Sequence, residues 1–230
     1  MGQITLAGKP EITVNLRNSA RARRMSLRVS QLDGRVTLTV PKYCSRAEAE
    51  RFVHSKEAWL RRHVDGRPAE VRIGLGAIVP VEGVDHQIVP GRGRVPVLSG
   101  VELQVPGPED KIAGKLQAWF KLRAREALVA ASDHYSTRLS RTYSRITLRD
   151  TRSRWGSCSS QGALMFSWRL VFAPPEVLEY VAAHEVAHLA QMNHSQAFWD
   201  QVYDIYGDWR EPREWLQREG VSLHRYRFDT

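Results

Sequence analysis

Residues 174–194 read Pro174-Pro175-Glu176-Val177-Leu178-Glu179-Tyr180-Val181-Ala182-Ala183-His184-Glu185-Val186-Ala187-His188-Leu189-Ala190-Gln191-Met192-Asn193-His194. Pro175 suits the first turn of a helix, where its missing N–H costs nothing. The predicted helix runs from Glu176 to about Met192. His184 and His188 are four residues apart, so their rings share one helix face with Cβ atoms roughly 6 Å apart. Two imidazoles so placed can reach one metal ion. Zinc accepts neutral imidazole nitrogen, and a catalytic zinc keeps three protein ligands and one open position. Glu185, beside the first histidine, can stand next to that position and take a proton from water that the metal has made more acidic.

A third ligand is present at a telling offset. His194 follows His184 by ten residues, as the third histidine does in the longer zincin motif. Asn193 tolerates the left-handed conformation that would turn the chain back toward the helix. Gln191 stands where that motif has glycine, so the turn must differ. Two other readings stay open. The histidines could form a satisfied pair without metal, or a structural zinc site closed by a fourth protein ligand, for which Cys158 is the candidate. Cys158 could also be a small buried side chain. His54, His63, His86, His134 and His224 have no partner at ligand spacing.

Working outward, Arg145–Leu148 reads as a strand, and Ser160-Gln161-Gly162 as a hairpin turn into a returning strand over Ala163–Phe172. Ser195 is the expected N-cap of a further helix that buries Phe198, Trp199, Val202 and Tyr203 and stops at Gly207. Ile112, Leu116, Trp119, Phe120, Leu128 and Tyr135 repeat at helical spacing and predict one long helix from Glu109 to about Leu139. Before residue 109 the pattern is mainly β. Strand-like runs cover Ile12–Leu16, Met25–Ser30 and Val36–Val40, the last two joined across Asp33-Gly34, a hairpin signal. Ser45 and Glu48 form a capping box for a helix to about His63. Short β runs follow at Ile78–Val81, Gln87–Val89 and Val101–Val105. The expected fold is therefore α+β, with a β-rich region over 1–108 and a helix-rich catalytic domain over 109–230.

Several of these segments together resemble a known family. Arg154-Trp155-Gly156-Ser157-Cys158, Trp168-Arg169-Leu170 with Ala173-Pro174-Pro175, His184–His188, and Asn193-His194-Ser195 with Phe198-Trp199 are similar to the YgjP-like zinc metallopeptidases. That family is of the zincin type and related to the Wss and SprT-like proteases of DNA–protein crosslink repair. The resemblance is most specific over roughly 110–207. It implies a zincin-like minimal metallopeptidase domain, with an active-site helix and a hairpin edge strand. It implies one Zn²⁺ per chain held by His184, His188 and His194, with Glu185 as general base in peptide-bond hydrolysis. It also puts the Arg154–Cys158 segment near the site. Substrate would add to the hairpin edge as an extra strand, with Trp155 walling the cleft and Arg152 or Arg154 steadying a developing oxyanion or a substrate carboxylate. Trp155 could equally be a core anchor, with both arginines solvated. Asp200 or Asp204 could orient a ligand imidazole through its second nitrogen.

Charge and composition bound the remaining classes. The chain has 230 residues, with 34 Lys+Arg against 25 Asp+Glu and a net charge of +9. No apolar run reaches the ~18 residues that a membrane helix needs, and the N-terminus lacks a signal-peptide core. Two cysteines, Cys44 and Cys158, make no disulfide framework, and a cytoplasmic setting is expected. Basic clusters including Arg21, Arg23, Arg24, Arg145 and Arg149 could hold a phosphate backbone, or simply be solvated faces. The expected partner is a peptide or protein substrate. The alternative is a DNA-associated protein, either a crosslink-repair-type protease or a binding module, in which the metal site is secondary or structural.

Overall fold

The computed structural model describes residues 2–30, 34–65 and 69–228, and its fold is α+β. It divides into two compact units, Met1–Ala69 and Glu70–Thr230.

The N-terminal unit contains β1 (Gln3–Leu6), β2 (Ile12–Ser19), β3 (Ser26–Val29), β4 (Val36–Pro41), α1 (Arg46–Ser55) and α2 (Glu57–Asp65). Its sheet has the order β1-β2-β4-β3, with β2 and β4 parallel and the outer pairs antiparallel. Alternation puts Ile4, Leu6, Ile12, Val14, Val36, Leu38 and Val40 on one face, where they share a core with Ala49, Val53 and Leu60 of the helices. The capping box forms as expected: Ser45 Oγ accepts from the Glu48 N–H at 3.2 Å, and Glu48 Oε2 accepts from the Ser45 N–H at 2.8 Å. The expected single helix to His63 is interrupted at Lys56, where α1 ends and α2 begins. Strands β3 and β4 pair as a hairpin should. Asp33 of the expected turn lies outside the described residues.

The C-terminal unit opens with β5 (Val71–Arg72) and a sheet of β6 (Ile78–Val81), β7 (Val84–Pro90), β8 (Val97–Ser99) and β9 (Glu102–Val105), ordered β6-β7-β9-β8. The expected boundary at 108/109 therefore falls at 69/70 instead. The reason is burial: Val79, Val81, Ile88, Leu103 and Val105 belong to the same core as the long helix that follows, and not to the N-terminal core. That helix, α3 (Glu109–Leu139), starts with Glu109 and Asp110, whose charges complement the helix N-terminus, and ends at left-handed Ser140. Ile112, Leu116, Phe120 and Leu128 along it are buried.

Next come β10 (Arg145–Arg149), β11 (Gly156–Cys158) and β12 (Ala163–Ser167), in the order β10-β12-β11. β10 runs parallel to β12 and β11 antiparallel, so β11 is an edge strand. The turn through Gly162, at φ 72°, is where the sequence places it. The returning strand stops at Ser167 rather than Phe172, because residues Trp168–Phe172 coil into a 3₁₀ turn with all five side chains buried. A strand would have turned alternate side chains outward. α4 (Pro175–Ala187) follows, then α5 (Gln196–Tyr206), α6 (Arg210–Glu219), a 3₁₀ turn over Gly220–His224 and β13 (Tyr226–Arg227), which pairs with β5. α4 is buried on nearly every side, and ends about five residues earlier than expected.

Candidate metal centre

The last turn of α4 and the loop behind it carry the histidines. His184 and Glu185 are in the helix and His188 is its C-cap, while His194 comes from the loop before α5. The chain leaves the helix at His188, so the loop over 189–194 has room to fold back. It brings His194 Nε2 to 3.1 Å from His184 Nε2. One ring nitrogen from each of His184, His188 and His194 lies within 4.8 Å of the others. Ligands of a tetrahedral zinc, at bonds of 2.0–2.1 Å, stand about 3.4 Å apart. The residues present therefore fit a divalent metal.

Each ring is held by its surroundings. His188 Nδ1 is 2.9 Å from the Gln191 carbonyl, to which it donates when its Nε2 is left free as a ligand. His184 Nδ1 is buried with no hydrogen-bond partner, so its Nε2 alone is presented to the other imidazoles. Burial above all, and then the neighbouring imidazoles and Arg213, push His184 down to about 3. Burial likewise lowers His188. Both rings are thus neutral, the state that binds metal. Asp200 is engaged by Gln196, and among the described residues neither it nor Asp204 hydrogen-bonds an imidazole.

Glu185 is 6 % exposed and faces β11. A Cβ on Gly156 would lie 2.5 Å from the Glu185 Cγ and Oε1, so only glycine leaves room for this carboxylate. Burial pushes Glu185 up to about 8, opposed by the nearby Arg154 charge and by a hydrogen bond from the Cys158 backbone N–H. The cleft beside the histidines has a volume of about 440 Å³ and is lined by Arg154, Gly156, Cys158 and Met192 together with Glu185 and the three imidazoles. Cys158 is not part of the ligand cluster among the described residues, and its thiol donates to the Ser159 carbonyl. Among the described residues the cluster therefore offers three ligands and no fourth to close the site.

The other expected site residues divide. Arg154 lines the cleft, whereas Trp155 packs on His224, with centroids 4.9 Å apart. Arg145 and Arg149 are exposed on β10, and Arg21, Arg23 and Arg24 lie exposed in the loop after β2 of the other unit. Two features escaped sequence reasoning. Phe198 touches all three imidazoles, although its helical spacing marked it only as core. Arg213 of α6 lies over Trp199 and Trp209 at 4.9 and 5.4 Å, and no motif pointed to it.

No curated protein matches this chain. Among solved structures, the metallopeptidase zymogen of Pyrococcus abyssi abylysin is similar at 21 % identity and a TM-score of 0.37, over 43 % of this chain and 97 % of that one. The family model described as YgjP-like, metallopeptidase domain matches residues 23–219. With that match spanning both units, and three imidazoles beside a buried carboxylate, the chain belongs to the YgjP-like family of metallopeptidases.

Proposed function

We propose that this metallopeptidase is zinc-dependent, with one Zn²⁺ held by His184, His188 and His194 and with Glu185 as general base. The observation that carries the reading is the convergence of three imidazoles next to a buried carboxylate that β11 holds in place. When bound, the metal supplies Lewis acidity, which lowers the pKa of water toward ~7 and polarises a carbonyl. Glu185 then takes the proton of the attacking water and later delivers it to the departing amine. The free edge of β11 receives the substrate backbone as an added strand, which gives affinity with little sequence demand. Arg154, at the cleft mouth, offers a fixed positive charge to a carboxylate or a developing oxyanion. Among the described residues no helix is long and apolar enough to cross a membrane, and a cytoplasmic setting accords with the free thiols of Cys44 and Cys158.

The test is Glu185→Gln. An amide cannot accept the proton, so the variant should retain one zinc per chain by elemental analysis and lose peptide hydrolysis. Hydrolysis near the wild-type rate would remove Glu185 from the chemistry. A metal other than zinc in the purified protein would correct the cofactor alone.

A further inference from the structure

We propose that the outer face of the β10-β12-β11 sheet binds acidic stretches of the protein substrate, an inference that rests on the peptidase reading. Ile146 and Leu148 of β10 pack inward on the core, so Arg145, Thr147 and Arg149 point out on the opposite face. The register sets Arg145 beside Ala163 and Thr147 beside Met165, which in turn is beside Ser157. Small and medium side chains thus floor a depression of about 590 Å³, and Arg145, Arg149 and Arg154 line it.

These three arginines are exposed, and among the described residues none has a carboxylate partner within ion-pair distance. The sequence explains why. Between residues 134 and 175 the chain has a single acid, Asp150. Asp150 is occupied by Arg169, whose Nε and Nη2 donate to its two oxygens at 2.7 and 3.1 Å. Arg145 and Arg149 therefore carry positive charge with no ion-pair partner among the described residues, while the charge of Arg154 also reaches Glu185.

Its position relates it to the reaction. Arg154, Ser153, Ser157 and Cys158 line both this depression and the metal cleft. A chain leaving the cleft past Arg154 runs onto the arginine face. An extended peptide advances about 3.3 Å per residue, as β10 does, so acids at alternate positions keep step with Arg145 and Arg149. Guanidinium groups match carboxylates with paired hydrogen bonds. Single-stranded nucleic acid is the weaker fit, because no aromatic ring lines the depression for bases to stack on.

The experiment uses the full chain loaded with zinc and carrying Glu185→Gln, so that peptides bind without being cut. Labelled extended peptides of equal length, with Glu, Gln or Lys at alternate positions, are titrated by fluorescence anisotropy. The Glu peptide should bind about tenfold tighter than the Gln peptide at low salt and lose that advantage near 0.5 M salt, roughly where screening becomes short-ranged. Adding Arg145→Gln with Arg149→Gln should abolish the preference, while Arg145→Lys with Arg149→Lys should keep most of it. Thermal melts of both double variants check that the fold is intact. Equal affinity for the Glu and Gln peptides, or a preference that survives the glutamine pair, would overturn the proposal. Tighter binding of an oligothymidylate of matched charge would also overturn it, in favour of nucleic acid. In protein with Glu185 intact, equal cleavage of all three peptides would strike the acidic preference alone. Failure to cut any peptide would strike the peptidase reading itself.

Discussion

The Phe198 ring lies almost flat on that of His188, with centroids 4.5 Å apart and planes 28° from parallel. The same ring meets His184 and His194 edge-on at 4.9 and 4.8 Å. A single fully buried side chain from α5 thus backs all three imidazoles. Phe198→Ala should cost about 3–5 kcal/mol in stability, as large-to-small core changes do. It should also weaken zinc retention, because the rings lose their common backing. Urea titration and metal content after dialysis measure the two effects. Zinc binding unchanged in a destabilised variant would limit Phe198 to packing.

Gly156 separates metal binding from proton transfer. Since a Cβ there would overlap Glu185, Gly156→Ala should displace the carboxylate and lower kcat by about 100-fold, the scale of a 1 Å misplacement. Zinc content should not change, because the atoms that a new Cβ would meet first all belong to Glu185. Full activity in that variant would mean that Glu185 works from another position.

His194 is exposed and comes from a loop, unlike the two helix-borne histidines. His194→Ala should lose zinc on dialysis yet alter the stability of the metal-free protein by no more than about 0.5 kcal/mol, the usual scale for surface positions. Zinc retained at one per chain would place the third ligand elsewhere.

Acid should destabilise the C-terminal unit through His224. Burial, with the Arg169 charge, pushes this imidazole down to about 4 from an ordinary 6.5. The folded protein keeps it neutral while the unfolded chain takes up a proton, so stability falls as pH drops from 6.5 through that lower value. Asp150 works in the same sense at lower pH. Burial raises its pKa, but the Arg169 hydrogen bond and charge outweigh this and hold it below the usual carboxylate range. Its contribution is present above the unfolded value and lost as the pH falls through the lowered one. In thermal melts from about pH 7.5 to 4.5, His224→Gln should lose less stability on acidification than wild type does. Parallel curves would acquit His224.

Much of the site was legible because ligand chemistry constrains spacing. His184 and His188 needed only the helical repeat, and His194 only its offset. The capping box at Ser45 and Glu48 and the long α3 were readable for the same reason, since local rules decide them. The failures share a different cause. Whether Trp168–Phe172 continue a strand or coil depends on a core that buries all five, and periodicity cannot see burial on every side. The unit boundary depended on where Val79, Ile88 and Leu103 find partners, a long-range fact. The resemblance put the segment with Gly156 near the site without giving the glycine a role, and helical spacing marked Phe198 as core; their parts show only with Glu185 and the imidazoles against them.

Arg169 ties distant pieces of chain together. Besides gripping Asp150, its Nη1 donates to the carbonyls of Leu223 and Tyr226 at 3.2 and 3.0 Å. Stripping away residues 223–227 would leave the Nη1 of Arg169 without its two carbonyls and deprive Trp155 of its His224 neighbour. Both injuries fall on the ends of the short link, 150–155, that delivers Arg154 and Gly156 to the cleft. A protease nick in this tail would therefore silence the enzyme from a distance, with His184, His188 and His194 still in place.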